Sequence, residues 1–141
     1  MIDSALSILL VEDDDVAAES VTRSLARNGV NFPVVWVEDG VAAQHRQRSQ
    51  SARQDIPRPR IVLLDLNMPR MNGFEFLHAL RADPELRATL VFVLSTSGSD
   101  ADCARAYDEH IAGYMVKAKL GHQLKGLANF LRDYGSIMLL P

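Results

Sequence analysis

Five short apolar runs punctuate the chain, each stopping abruptly at polar or charged residues. Ser7-Ile8-Leu9-Leu10-Val11 stops at a run of carboxylates, Val34-Val35-Trp36-Val37 at Glu38, and Ile61-Val62-Leu63-Leu64 at Asp65. Leu90-Val91-Phe92-Val93-Leu94 stops at the hydroxyls of Ser95, Thr96 and Ser97, and Gly113-Tyr114-Met115-Val116 stops at Lys117. Uninterrupted apolar runs of this length predict parallel strands covered on both faces. Trp36 is expected in the core, on one strand face.

Between the runs the apolar period lengthens to that of a helix. Ala17, Val21 and Leu25 fall on one stripe of a helix over 16–28, with Asp14 or Asp15 to cap its start and Asn28-Gly29 to close it. A second helix is expected over 41–49, then a loop over 50–60 that carries Pro57 and Pro59. Gly73 to Ala82 turns Phe76, Leu77 and Leu80 inward and ends near Asp83-Pro84. Asp100 to Asp108 should be helical, and Leu120, Leu124, Leu127 and Leu131 follow i, i+4, i+7 and i+11 on a last helix. Five strands alternating with five helices imply an α/β fold with a doubly wound parallel sheet. The domain is expected over 1–134, with an apolar tail over 135–141.

At 141 residues the chain has room for one domain with a substantial core. Apolar residues make up 48% and charged residues 23%, an ordinary profile for a soluble globular protein. Apolar runs of about five residues fall far short of the roughly 20 that span a bilayer. Met1-Ile2-Asp3-Ser4 lacks the basic and apolar regions of a signal peptide, so cytoplasmic residence is expected. Cys103 is the only cysteine, which excludes an intramolecular disulfide or a Cys-rich metal site. A net charge of −3 and a pI near 5.7 argue against nucleic acid as the main partner. Arg46, Arg48, Arg53, Arg58 and Arg60 read as a solvated loop, and His45, His78, His110 and His122 lack the spacing of metal ligands.

In a sheet of this kind all strands end at one edge, where ligands bind. The residues just past the strands are Glu12 and Asp13, Asp65, Ser95 and Lys117. Three carboxylates on one rim repel one another unless a cation sits among them, and hard oxygen ligands suit Mg2+. A cation beside a carboxylate, with an ammonium nearby, gathers phosphoryl oxygens. The residues therefore point to phosphoryl chemistry on an aspartate.

The motifs Ile8-Leu9-Leu10-Val11-Glu12-Asp13-Asp14, Leu63-Leu64-Asp65-Leu66-Asn67-Met68-Pro69 with Met71-Asn72-Gly73, Val93-Leu94-Ser95-Thr96-Ser97 and Gly113-Tyr114-Met115-Val116-Lys117 resemble the bacterial two-component response-regulator receiver family. The resemblance runs from Ser7 to about Tyr134, with intervals of 52, 30 and 22 residues between Asp13, Asp65, Ser95 and Lys117. Each motif is common alone; the four in the family's order are specific. The resemblance implies a flavodoxin-like, CheY-like strand order of 2-1-3-4-5. It implies that Asp65 accepts a phosphoryl group from a sensor histidine kinase. Glu12, Asp13 and Asp65 would hold Mg2+ with the backbone carbonyl of Asn67. Lys117 would contact a phosphoryl oxygen, Ser95 another, and Tyr114 would follow Ser95 as a switch. The outcome would be changed contacts on the face of the fourth helix, fifth strand and last helix, toward a downstream protein or a His-containing phosphotransfer protein.

Three departures from the family pattern stand out. Ala118 follows Lys117 where the family usually has proline, Thr96 occupies a position usually held by a small residue, and the segment between the second and third strands is long. The long segment and the apolar tail resemble the single-domain receivers that work with bacterial phytochromes, which implies a homodimer. Ala118 and Thr96 leave open a degenerate receiver that binds partners without phosphorylation. A phosphatase of the haloacid-dehalogenase type also uses a strand-end aspartate, but it wants a second Asp two residues on, where this chain has Asn67.

Overall fold

The computed structural model describes residues 7–38, 60–66, 73–84, 86–96 and 98–138. Its strands are β1 (Ser7–Val11), β2 (Val34–Val37), β3 (Arg60–Leu64), β4 (Leu90–Ser95) and β5 (Gly113–Val116). The helices among the described residues are α1 (Asp15–Arg27), α2 (Gly73–Ala82), α3 (Asp100–Asp108) and α4 (Lys125–Ile137). Every strand pair is parallel and the order is β2-β1-β3-β4-β5, the doubly wound arrangement expected. The chain leaves β1 for the edge at β2, then crosses back to β3. That reversal opens a crevice at the carboxyl ends of β1 and β3. The helix expected over 41–49 and the loop over 50–59 lie outside the described residues. Arg60 opens β3 opposite Ser7 rather than closing the loop.

Alternation along the strands divides the core in two. Ile8, Leu10, Ile61, Leu63, Phe92 and Leu94 face α1 and α4, packing on Ala18, Val21, Leu25, Leu127, Ala128 and Leu131. Leu9, Val11, Val62, Leu64, Val91 and Val93 face the other way, onto Phe74, Phe76, Leu77 and Leu80 of α2 and Ala106 of α3. The central strands are thus buried on both sides, which is why they read as continuous apolar runs. At roughly 2 kcal/mol for each buried aliphatic side chain, these two layers hold the strand ends in register.

Local chemistry starts and stops α1 as expected. Asp14 accepts a hydrogen bond from the Val16 N–H at 2.9 Å, and Gly29 takes a positive φ of 79° after the C-cap Asn28. Trp36 departs from expectation. It is 40% exposed on the edge strand, and its indole N–H donates to the backbone carbonyl of Glu12 at 2.7 Å.

The last helix also differs from its prediction. It begins at Lys125, after a 3-10 turn at Lys117–Lys119 and a tight turn of non-helical backbone at His122–Leu124. Gly121, Gln123 and Leu124 all have positive φ, so no helix passes through them. Leu120 and Leu124 nevertheless pack on the same core as Leu127 and Leu131, which explains the misleading period. At its other end α4 runs through Ile137, so residues 135–137 of the expected tail are helical. Residues 139–141 lie outside the described part.

Candidate functional site

The parallel ladder continues one residue beyond β1 and β3. The Glu12 N–H donates to the Val37 carbonyl at 3.1 Å, and the Asp65 N–H donates to the Val11 carbonyl at 3.0 Å. Both side chains therefore start from ordered backbone at the same edge. Carboxylate oxygens of Glu12, Asp13 and Asp65 lie within 4.8 Å of one another. The remaining acidic residues of the 12–15 run leave the cluster: Asp14 caps α1, and Asp15 lies in its first turn, where negative charge is favoured.

Lys117 follows β5 and brings its ammonium Nζ to 3.3 Å from Glu12 Oε1. Glu12 itself is only 3% exposed. Burial, with the negative charge of Asp65 next, pushes its carboxyl up from an ordinary 4.5 to about 7, against the opposing pull of Lys117. A hydrogen bond to Asp65 adds to the rise, and the backbone N–H of Asp14, 3.3 Å from Oε2, works against it. One ammonium thus does not balance the carboxylates. The deficit favours a proton on Glu12 or a divalent cation among Glu12, Asp13 and Asp65. An all-oxygen, carboxylate-rich donor set fits a hard cation such as Mg2+.

Ser95 closes β4 and is buried, and Thr96 beside it is exposed. Tyr114 is half-buried on β5, opposite Val93, and packs against the core shared with α2 and α3. Asn67 lies outside the described residues. The structure thus gathers Glu12, Asp13, Asp65 and Lys117, and sets Ser95 at the end of the strand between Asp65 and Lys117.

Two contacts that shape the site escaped the sequence reading, although both residues were named in it. Gly73 donates its N–H to the Leu66 carbonyl at 2.6 Å, and a Cβ on it would meet backbone atoms of Leu66 and Asp65. The bond of Trp36 to Glu12 is the other. A glycine at a helix start hints at close packing, whereas nothing in the period of β2 signals which carbonyl the indole reaches.

The family model for the response regulator receiver domain matches residues 8–129. Rcp1, a response regulator of Synechocystis sp., is 32% identical over 132 residues, covering 94% of this chain and 88% of Rcp1. FilR2 of Methanothrix harundinacea, a probable methanogenesis regulatory protein, is 36% identical, covering 90% and 81%. The phosphorylated cyanobacterial phytochrome response regulator RcpA superposes with a TM-score of 0.82 at 33% identity, over 96% of this chain and 97% of RcpA. The Mn2+-bound form of Rcp1 gives a TM-score of 0.82 at 30% identity, covering 97% and 99%. With its sheet order, its strand-end acidic cluster and a match across most of its length, the chain belongs to the response regulator receiver family, whose members signal through phosphorylation.

Proposed function

We propose that Asp65 is the phosphoryl acceptor of a Mg2+-dependent phosphorelay and receives its group from a sensor histidine kinase. The observation that carries this reading is the meeting of Glu12, Asp13 and Asp65 oxygens within 4.8 Å. In the transfer, the P–N bond of a phosphohistidine breaks and a P–O bond forms to an Asp65 carboxylate oxygen. Glu12, Asp13, Asp65 and the Asn67 carbonyl would hold the cation, which supplies positive charge among carboxylate and phosphoryl oxygens. Lys117 holds one phosphoryl oxygen through its ammonium. Ser95 donates its hydroxyl to another, and Tyr114 follows that hydroxyl. The modification adds about two negative charges and three acceptors to the rim, enough to reorder its loops and the face of α3, β5 and α4.

A phytochrome-type kinase is the partner proposed, supported by likeness to RcpA and to a response regulator of red light signalling in R. palustris. Changed contacts would then reach a downstream protein or a His-containing phosphotransfer protein. A homodimer is proposed through α4 and the residue that follows it, where Phe130, Ile137 and Met138 are exposed. Light scattering on the full chain and on a chain lacking the tail tests it. A cytoplasmic location goes with a kinase partner charged from cytoplasmic ATP. Among the described residues no helix is long and apolar enough to cross a membrane.

The experiment is incubation with acetyl phosphate and Mg2+, followed by intact mass. A gain of one phosphoryl group that disappears in Asp65→Asn supports the reading. No gain with acetyl phosphate or with a cognate kinase would instead favour the degenerate receiver, for which Ala118 and Thr96 speak. Steady turnover of a small phosphate ester would favour a phosphatase.

A further inference from the structure

We propose that Trp36 is a positioning residue for the acidic site, its indole N–H fixing the peptide from which Glu12 and Asp13 reach a divalent cation. The inference rests on the reading that Glu12, Asp13 and Asp65 hold that cation. Trp36 lies opposite Leu10 in the β1–β2 register, and its side chain reaches two residues along β1 to the Glu12 carbonyl, 2.7 Å away. The Glu12 N–H is already held by Val37 at 3.1 Å. Glu12 is therefore tied at both its main-chain polar groups by neighbouring residues of β2, one through the ladder and one through a side chain.

The position of that second tie matters. The Glu12 carbonyl belongs to the peptide that joins Glu12 to Asp13, so the tie helps to fix ψ of Glu12 and φ of Asp13, the two angles that together set how their side chains stand to each other and to Asp65. Past Val11 the strand has ended and Asp13 is exposed, leaving the ladder unable to set this peptide alone. Trp36 is 40% exposed, so it does not serve as a core side chain whose removal would collapse the layer beneath. What is definite about its placement is the bond at its polar end. Trp36 touches no reacting atom and acts through Glu12.

The test compares the full chain with Trp36→Phe, which keeps an aromatic ring and deletes the donor. Mn2+ affinity is read by paramagnetic resonance of the free ion, and melting is followed with and without Mg2+. Loss of one neutral hydrogen bond predicts Mn2+ binding weaker by roughly three- to tenfold, and a smaller rise in Tm on adding Mg2+. Unchanged affinity, or a Tm loss equal with and without Mg2+, would assign Trp36 a merely structural role and overturn the inference. If the wild-type protein itself binds no Mn2+, the cation-site reading fails and takes this one with it. Should Trp36→Phe not fold, the single indole N–H signal of the unmodified chain decides. A shift and slower solvent exchange on Mg2+ saturation support the tie, and an unmoved signal overturns it.

Discussion

Gly73 donates its backbone N–H to the carbonyl of Leu66 at 2.6 Å, which presses the first turn of α2 against the turn that carries Asp65. A Cβ at residue 73 would lie 2.5 Å from Leu66 Cα and 2.8 Å from the Asp65 carbonyl oxygen. Both are backbone atoms, so the turn itself has to move. Gly73→Ala is expected to lower the unfolding free energy by about 2 kcal/mol or more in urea denaturation. Because the displaced carbonyl belongs to Asp65, phosphorylation from acetyl phosphate should slow in the same variant.

Lys117 is the positive partner of Glu12, at 3.3 Å. Its replacement by Met removes the charge that pulls the Glu12 carboxyl down, so titration of Glu12 followed by carbon NMR should move further upward. The same change removes the ammonium offered to the phosphoryl group. A fall of about a hundredfold in the rate of phosphorylation is expected; a wild-type rate would remove Lys117 from the proposed role.

Glu12 gives the cation-free protein a pH-dependent stability. Its folded pKa of about 7 lies above the ordinary 4.5, so the folded state keeps a proton that the unfolded chain has released. The contribution is complete below about pH 4.5 and is lost as pH rises through about 7, a fall of about 3 kcal/mol in unfolding free energy. Urea midpoints in EDTA should show this slope in the wild type and lose it in Glu12→Gln. With Mg2+ present the proton leaves as the cation binds, so affinity should climb with pH and level off above about 7.

Arg81 supplies a separate test, away from the rim. Its guanidinium donates to the carbonyls of Glu109 at 2.8 Å, Arg87 and Thr89 at 2.7 Å, and His110 at 2.9 Å. The end of α2 is thereby tied to the approach to β4 and to the turn after α3, where His110 has a φ of 60°. A lysine cannot hold this fork. Arg81→Lys should cost about 2–3 kcal/mol in thermal or urea unfolding, while Asp65 still loads with phosphate.

The parallel sheet was legible because the central strands are covered on both sides and each ends at a chemical group, whereas its order came only with the resemblance to the receiver family. Glu12, Asp65 and Lys117 were legible for the same reason: a carboxylate or ammonium directly after an apolar run has nowhere to go but the strand-end edge. Leu120 and Leu124 misled because burial repeats with a helical period whether or not the backbone is helical. Only the positive φ values at Gln123 and Leu124 reveal the break. Trp36 misled in the opposite sense. Its ring suggested a core residue, yet an edge strand leaves one side open, and the indole's polar end found the Glu12 carbonyl. Contacts made by a side chain's far end depend on the neighbouring strand's register, which no periodicity along one strand contains.

The tie between Ser24 and Leu124, hydroxyl to carbonyl at 3.1 Å across 100 residues, bears on how the protein is made. Glu12 and Lys117 are 105 residues apart, so a ribosome delivers all three carboxylates well before their ammonium. Until Leu127, Ala128 and Leu131 emerge, the side of α1 carrying Ala18, Val21 and Leu25 lacks its cover from α4. A nascent chain halted after β4 therefore carries Asp65 on an unfinished, sticky and charge-crowded scaffold. Emergence of Lys117 and α4, rather than synthesis of the aspartate, is the moment at which the rim can be assembled.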